Sequence, residues 1–424
     1  VAGKSWDYRV NAYGDPGGSD ISHGTSCGGL AAAIGNNGIG VAGVAYNAHL
    51  VGYNLLQASE DLYGADAMTR DLADNHVYSN SYGAADNTGL FDPSSAAWQR
   101  AIDHGINNGR SGKGVVYTWA AGNGAPEDRS DYDGQANYQG VLAIGSLNDQ
   151  GQRSSYSEAG SNLLVMAYGG EYCDGHTLST TDVTGTAGDN DGRFSRDDYP
   201  GQPNYTRCMN GTSAAAPQAA GVVALLLEAN PALGWRDVRA ILAASARQND
   251  PSDPDWVRNA AGHWVNDHYG YGAINASAAV AAAQNWQQLP AQKTASAVAN
   301  RMLPLALTDQ GQASTSDLTL SGSGITQLEF VDVFVTSDHP EVGDLRISLT
   351  SPSGTVSTLT VAHDCRDERG AIVACADAFA NGVRFGVARL MGEAADGNWT
   401  LSLRDERAGN SGSLLAWSIK VYGY

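Results

Sequence analysis

The sequence predicts an α/β domain, with a mostly parallel sheet flanked by helices, followed by an all-β sandwich. Short apolar runs bounded by turn residues, such as Gly114–Trp119 and Gly140–Gly145, are typical of strands buried on both faces. Helical periodicity alternates with these runs and covers Ala96–Asn107, Thr212–Glu228 and Trp235–Arg247. This alternation of strand and helix predicts the parallel sheet of the first domain.

A change of pattern after Pro290 indicates the second domain. Helical periodicity stops there, and short alternating strands separated by turn signals follow at Leu328–Val335, Leu345–Leu349, Trp399–Leu403 and Trp417–Tyr422. We therefore divide the chain into a first domain, residues 1–286, a polar linker, residues 287–300, and a β-sandwich domain, residues 301–424.

The composition restricts what the protein binds. The formal net charge is −20, and only four of the 424 residues are lysine. Such a surface repels nucleic acid and anionic membranes and attracts Ca²⁺ or cationic peptides. Because no run of about 18 apolar residues occurs, the sequence predicts no membrane-spanning helix. We expect peptide or protein partners rather than nucleic acid or a membrane.

The five cysteines indicate an oxidising compartment. Their spacing fits no zinc-ligand pattern, whereas Cys173 with Cys208 and Cys365 with Cys375 would each close a polar loop. Disulfides of this kind are typical of secreted proteins. Cys27 is left over, and we interpret it as a buried thiol.

Three short motifs carry residue types that suit acyl-transfer chemistry. Ser213 follows Asn-Gly-Thr at the start of a predicted helix, where the helix dipole stabilises negative charge that develops on an acyl adduct. His23 stands at the start of another helix rich in small residues, and Asn123 lies on the loop after a buried strand. Alone, the serine motif is equally an ordinary helix cap and the histidine a structural residue.

In this order the three motifs resemble the subtilisin family of serine proteases. The resemblance implies Ser213 as the nucleophile, His23 as its general base, and Asn123 together with the Ser213 backbone N–H as oxyanion donors. It also implies a subtilisin-like α/β fold and an extended segment that pairs with the substrate backbone as an added strand, formed by Ser81, Tyr82 and Gly83.

A closer resemblance is to the kexin/furin-like branch, the proprotein convertases. It rests on Ser81–Asp86, Asn123–Gly134 and Tyr156–Glu158. It implies a Ca²⁺ ion bound by Asp86, Asp128 and Glu158. It further implies that Asp86 and Asp133 face a basic P1 side chain and that Asp20 favours a basic P2 residue. Physical chemistry agrees, because buried carboxylates this close stay ionised only when a cation pairs with them.

Two further segments extend this resemblance. Asn36–Val41 resembles the family's other calcium loop, with the Asn37 side chain and the carbonyls of Ile39 and Val41 as implied ligands. His339–Thr355 resembles the P domain that follows the catalytic domain in convertases, which implies a jelly-roll sandwich that stabilises the first domain. The implied function is a secreted, calcium-dependent serine endopeptidase that cleaves after arginine or lysine.

Two features depart from the branch. A subtilisin triad needs an aspartate that orients the histidine. The family places this aspartate on the first central strand, further upstream of the histidine than the 22 residues that precede His23 here. Asp7 lies in a Ser-Trp-Asp that resembles the convertase segment downstream of that strand, so it does not occupy the position of the triad aspartate. The Asp-rich segment Asp182–Tyr199 is longer than expected and would lie beside Ser213 if Cys173 and Cys208 pair.

The unassigned aspartate leaves several hypotheses open. An additional N-terminal piece would supply it, or the protein is an inactive fragment or a pseudoprotease that binds basic peptides without cleaving them. A serine-carboxyl peptidase also carries Gly-Thr-Ser, but it uses Glu and Asp where this chain has His23. A carbohydrate- or protein-binding sandwich would make the motifs coincidental. Folding assistance is expected from an N-terminal segment, a propeptide or a separate chaperone.

Overall fold

The computed structural model describes residues 3–18, 21–56, 58, 61–173, 176–190, 198–199, 201–299, 303–367, 369–375 and 379–424. Asp20 lies outside the described residues, as does part of Asp182–Tyr199. The described α-helices are α1 (Ser22–Ala32), α2 (Asp61–Ala67), α3 (Ala96–Gly112), α4 (Thr212–Ala229), α5 (Trp235–Ser245) and α6 (Ala276–Gln284).

The strands divide between the two predicted domains. Those of the first are β1 (Trp6–Asp7), β2 (Ala12–Tyr13), β3 (Tyr53–Asn54), β4 (Val77–Asn80), β5 (Val116–Ala120), β6 (Val141–Leu147), β7 (Leu163–Tyr168), β8 (Leu178–Thr181), β9 (Tyr205–Met209), β10 (Val257–Arg258) and β11 (Trp264–Val265). Those of the second are β12 (Lys293–Val298), β13 (Leu305–Leu307), β14 (Ser314–Leu320), β15 (Leu328–Ser337), β16 (Leu345–Thr350), β17 (Val356–Thr360), β18 (Cys365–Arg366), β19 (Ile372–Val373), β20 (Val383–Val387), β21 (Gly397–Asp405) and β22 (Gly412–Gly423).

A parallel sheet organises the first domain. Strands β4, β5, β6 and β7 lie side by side in that order, and every neighbouring pair is parallel. All residues of β5 and β6 are buried, which explains why they appear in the sequence as continuous apolar runs. These strands and helices α3, α4 and α5 confirm the predicted alternation.

Helix α4 packs across this sheet and against α1. Among the described helices it alone has the length and hydropathy of a membrane span, yet 67% of that stretch is buried inside the protein. Burial to this extent is what the central helix of an α/β domain requires, because such a helix is covered on most sides.

Two large antiparallel sheets form the second domain, together with the short antiparallel pair β18–β19. One has the order β12-β22-β15-β20, with β13 also paired to β22, and the other has the order β14-β21-β16-β17. Alternate residues of β14 are buried, as expected for a strand with one face on a core. The core between the sheets contains Trp399, Trp417 and Phe385. The predicted β-sandwich is therefore confirmed.

The segment predicted as a linker contains a strand. Strand β12 pairs antiparallel with β22, from Lys293 opposite Gly423 to Val298 opposite Ser418. The C-terminal sheet thus begins within residues 287–300, which corrects the linker assignment there. The segment resembles a linker in the sequence because β12 is an edge strand with no fully buried residue. The remaining domain limits stay predictions.

Both expected disulfides are present. Cys173 is bonded to Cys208 and Cys365 to Cys375, whereas Cys27 is a free thiol. Cys208 lies in β9, which leads directly into α4 and Ser213. The first disulfide therefore anchors the β8–β9 hairpin next to the helix that carries the predicted nucleophile.

Candidate active site

Two of the three predicted catalytic residues, Asn123 and Ser213, line one cavity at the edge of the sheet where the strands end, and Cys27 contacts both His23 and Ser213. Asn123 follows β5, Ser213 lies in the first turn of α4, and His23 lies in the first turn of α1. Ser81, which follows β4, also belongs to this cluster. Parallel sheets hold their sites at this edge because the loops after their strands converge there.

Ser213 is held between the strand edge and α1. Its hydroxyl donates to the carbonyl of Ser81 over 3.3 Å, while the Ser81 hydroxyl donates to the carbonyl of Ser213 over 2.9 Å. The N–H groups in the first turn of a helix have no acceptor within the helix, so the Ser213 N–H can serve a ligand. Gly211 precedes this turn with φ +91°, a conformation that favours glycine.

Thr212 orients the amide of Asn123. The Asn123 Oδ1 atom accepts from the Thr212 backbone N–H at 2.8 Å and from the Thr212 hydroxyl at 2.9 Å. Because Oδ1 is occupied in this way, the Nδ2 group is the end of the amide left to donate to a ligand. In the sequence Thr212 is only one residue of the Asn-Gly-Thr that precedes Ser213, and no local signal indicates its orienting contact.

His23 is half-buried and lies beside the free cysteine. Its Nδ1 atom is 4.0 Å from the Cys27 Sγ, and that thiol also donates to the Ser213 carbonyl over 3.4 Å. Burial raises the pKa of Cys27 to about 11, so the thiol is neutral near pH 7. Asp7 forms an ion pair with Arg9.

An acidic pocket opens next to Ser213. It is a cavity of about 150 Å³ whose lining includes four carboxylates, from Asp86, Asp128, Asp133 and Glu158. Three of them are buried and Asp86 is exposed. Arg129 is the only cation among the described lining residues, and its guanidinium is bound to Asp131 and Asp267. The four carboxylates thus have no cationic partner among the lining side chains.

Burial and mutual repulsion shift the titration of these acids. Burial, with a smaller contribution from the Asp86 charge, raises the pKa of Asp128 to about 6. Burial also raises the pKa of Asp133. The pKa of Glu158 is raised well above its usual range by burial and then by the charge of Asp128. Such a group of acids favours a bound cation, because a cation removes the cost of ionising them.

Backbone N–H groups fix the carboxylates in place. Asp133 accepts from the N–H groups of Ala84, Gln135 and Ala136, at 3.2, 2.6 and 3.0 Å. Asp86 accepts from the Asn123 N–H at 2.8 Å. The loop that carries Asn123 therefore belongs to both the oxyanion region and the acidic pocket.

Two glycines let the Asn123 loop approach the acids closely. A Cβ atom at Gly122 would come within 2.2 Å of Glu158 Oε1, and one at Gly124 within 2.2 Å of Asp128 Oδ2. The Gly124 N–H donates to Glu158 over 2.9 Å. Because these two positions have no side chain, the carboxylate oxygens of Asp128 and Glu158 can gather against the loop, and such a set of oxygen ligands suits Ca²⁺.

The other predicted binding residues lie on two segments. Tyr82 packs its ring edge-on against Trp119, with centroids 4.8 Å apart, so the segment's backbone is the part available to a peptide. Gly83 is exposed. On the separate loop, the Asn37 Oδ1 accepts from the Ile39 N–H at 3.0 Å. Val41, at the end of that loop, is half-buried.

Comparisons with known proteins match this architecture. The family model described as the subtilase family matches residues 3–272, and the one described as the proprotein convertase P-domain matches residues 328–421. Human proprotein convertase subtilisin/kexin type 6 is 32% identical over 439 residues, covering 99% of this chain and 42% of that protein. Mouse furin is 33% identical over 412 residues, covering 96% of this chain. This chain spans 48% of the length of furin.

A solved structure resembles the whole chain. The serine protease of Aeromonas sobria superposes with a TM-score of 0.85 at 28% identity, covering 99% of this chain and 85% of that protein. The same protease in complex with its chaperone superposes with a TM-score of 0.84 at 27% identity, covering 100% of this chain and 84% of that one.

Proposed function

The chain belongs to the subtilase family of serine proteases and carries a proprotein convertase P-domain, and from this premise we propose that it is an endopeptidase that cleaves after arginine or lysine. The observation that carries the proposal is the pocket of four carboxylates that opens beside Ser213. A P1 guanidinium or ammonium group would neutralise these acids, and arginine suits a fork of carboxylates better than lysine.

The proposed chemistry is acyl transfer through Ser213. The Ser213 Oγ attacks the carbonyl carbon of the scissile bond while His23 takes the hydroxyl proton. The amine then leaves with the proton that His23 returns to it, and water hydrolyses the resulting ester by the reverse proton transfers. Asn123 Nδ2 and the Ser213 N–H would donate to the oxyanion, a role supported by the contacts that Thr212 makes with Asn123.

We place a calcium ion at the base of the acidic pocket. Asp86, Asp128 and Glu158 would hold it, and the raised pKa values of Asp128 and Glu158 support this assignment. When bound, Ca²⁺ would supply the positive charge that keeps these carboxylates ionised and ordered. A second ion would be held on the separate loop by the Asn37 side chain and the carbonyls of Ile39 and Val41.

Several finer assignments complete the proposal. The two disulfides support secretion through an oxidising compartment. Asp20, which lies outside the described residues, is assigned to a basic P2 side chain. The Aeromonas protease was solved with a chaperone, which supports a chaperone, a propeptide or an N-terminal segment as the folding partner here.

The test is cleavage of matched peptides that differ only at P1, with arginine, lysine, leucine or phenylalanine. Each is incubated at neutral pH with Ca²⁺ or with EDTA, and the intact mass of the protein is recorded. We expect fast cleavage of the arginine and lysine peptides that EDTA abolishes. Ser213→Ala serves as the control for contaminating proteases.

Two outcomes would contradict parts of the proposal. Equal cleavage of the leucine peptide would refute the assignment of the acidic pocket to P1. Binding of basic peptides without turnover would instead indicate a pseudoprotease or an inactive fragment. In that case the recorded mass shows whether the tested chain begins at Val1.

A further inference from the structure

Both walls of the acidic pocket touch the P domain. We define the clamp as residues Thr358–Arg366 of that domain. On one wall, the Thr358 carbonyl accepts from Arg129 at 3.2 Å and from the Ser161 hydroxyl at 2.6 Å. On the same wall, the Tyr132 hydroxyl lies 2.9 Å from the Thr360 hydroxyl. The clamp therefore contacts the turn that connects Asp128 with Asp133.

A second wall is reached through two adjacent peptide groups, those whose carbonyls belong to Thr88 and Gly89. The carbonyl of Thr88 accepts from the Arg366 N–H of the clamp at 2.7 Å. The N–H of Gly89, which belongs to that same planar peptide, donates to Asp128, and the N–H of Thr88, in the preceding peptide, donates to the other Asp128 oxygen over 3.0 Å. One rigid unit thus joins the P domain to a carboxylate that we assign to calcium.

His363 holds the next peptide group. Its Nε2 atom lies 2.8 Å from the Gly89 carbonyl, and in the tautomer that carries the proton on Nε2 the ring donates to that carbonyl. The Nδ1 atom lies 2.7 Å from the Val361 carbonyl and 3.2 Å from the Tyr132 hydroxyl. The ring also stacks on Tyr132, with centroids 4.8 Å apart. In that tautomer Nδ1 is an acceptor whose donor is the Tyr132 hydroxyl, so Gly89 and Tyr132 together hold the ring.

Gly89 makes this approach possible. Its φ is +64°, and a Cβ atom there would come within 2.4 Å of the Asp364 carbonyl oxygen and 2.8 Å of the His363 ring. Any side chain at position 89 would force the loop and the clamp apart. The close contact between this loop and the clamp therefore requires glycine at position 89.

We infer that His363 is a positioning residue of the acidic pocket. By holding the Gly89 carbonyl, it orients the backbone N–H groups that fix the Asp128 carboxylate. The inference rests on the proposed function, because it assigns Asp128 to calcium, and it extends that function by making the P domain part of the pocket. His363 sets calcium affinity and P1 binding and leaves the bond-breaking step unchanged.

The experiment compares His363 with the other described buried histidine of the P domain. His339 contacts Asp405 and the Glu341 carbonyl, both within that domain. Calcium affinity is measured by isothermal titration calorimetry for the wild type, H363L, H363Q and H339Q, with Tm recorded for each. The kcat and KM for an arginine-P1 peptide are measured alongside.

We expect H363L to weaken calcium binding about tenfold, a typical effect of losing a partner that orients a metal ligand. Its KM should rise while kcat stays within about threefold. H363Q, which restores a donor, should recover most of the affinity. H339Q should lower Tm but leave calcium affinity within about twofold. The variant G89A, which disturbs the same contact from the opposite side, should weaken calcium binding as H363L does.

Unchanged calcium affinity in both H363L and G89A would overturn the inference, as would equal weakening in H339Q. If the wild type binds calcium but cleaves no peptide, the proposed activity fails while the inference is still decided by the titrations. If the wild type binds no calcium, the calcium assignment and this inference fail together.

Discussion

Replacing Asp128 with asparagine should stabilise the protein without calcium and destabilise it with calcium, relative to the wild type. Asp128 is buried among acids that have no described cationic partner in the pocket lining. Its negative charge is therefore a cost to the calcium-free fold and a benefit to the calcium-bound one. A substitution that removes only the charge separates these two effects.

The magnitude follows from the titration of Asp128. Burial raises its pKa from 3.8 to about 6. A difference of about 2 pKa units between the folded and the unfolded protein is worth about 3 kcal/mol of unfolding free energy at a pH where Asp128 is ionised in both states. Asparagine removes this cost, but it offers one acceptor oxygen where Thr88 and Gly89 donate to two. Losing one such bond costs about 1 kcal/mol, so the net gain is about 2 kcal/mol.

Calcium reverses the order. At free Ca²⁺ about 1,000-fold above the Kd, binding stabilises the wild type by about 4.1 kcal/mol. D128N loses an ionised ligand and most of this gain. The assay is thermal unfolding near pH 7.5 in EDTA and in Ca²⁺, where D128N should have the higher Tm by a few degrees in EDTA and the lower Tm in Ca²⁺.

The neighbouring residue provides a matched control. Glu127 is half-buried next to Asp128 and does not line the pocket. E127Q removes the same charge and should leave both Tm values nearly unchanged. A D128N protein that is less stable than the wild type in EDTA would refute the reasoning, because it would mean that the Asp128 charge is favourable without a cation.

Three further predictions concern catalysis, specificity and pH. N123A should lower kcat about 10²–10³-fold with little change in KM, since the amide would act mainly on the transition state. D133N should lower kcat/KM for an arginine-P1 peptide at least about tenfold, because a guanidinium loses a charged partner. The rise in Tm on adding Ca²⁺ should be smaller near pH 5 than near pH 7.5. In the calcium-free protein the raised pKa of Asp128 gives a contribution to folding stability that is fully present below pH 3.8 and is lost as the pH rises through about 6. Through the same pH range the carboxylate becomes ionised and can bind Ca²⁺.

Each of these has a clear contrary result. An N123A protein whose KM rises while kcat is unchanged would assign Asn123 to ground-state binding. A parallel loss for leucine-P1 and arginine-P1 peptides in D133N would indicate a structural role for that carboxylate, which also accepts three backbone hydrogen bonds. A calcium effect on Tm that does not depend on pH would show that Asp128 is not a calcium ligand.

Much of the fold is determined by local pattern in the sequence. Strands β5 and β6 and helices α3, α4 and α5 appear as apolar runs and helical periodicity, because one strand or helix buries its own residues at a fixed spacing. The serine, histidine and asparagine motifs are also visible in the sequence, because each lies within one short segment at the start of a helix or the end of a strand. The disulfides followed from the positions of five cysteines.

Tertiary structure decided what depends on partners distant in the sequence. Strand β12 was predicted as linker because its pairing partner, β22, lies at the other end of the sandwich sequence. The contact of Thr212 with Asn123 and that of His363 with Gly89 join residues far apart in the chain. The pKa values of Asp128 and Glu158 depend on burial and on each other's charge. Such quantities arise only when separate segments pack together, because desolvation and Coulomb repulsion are properties of the assembled pocket.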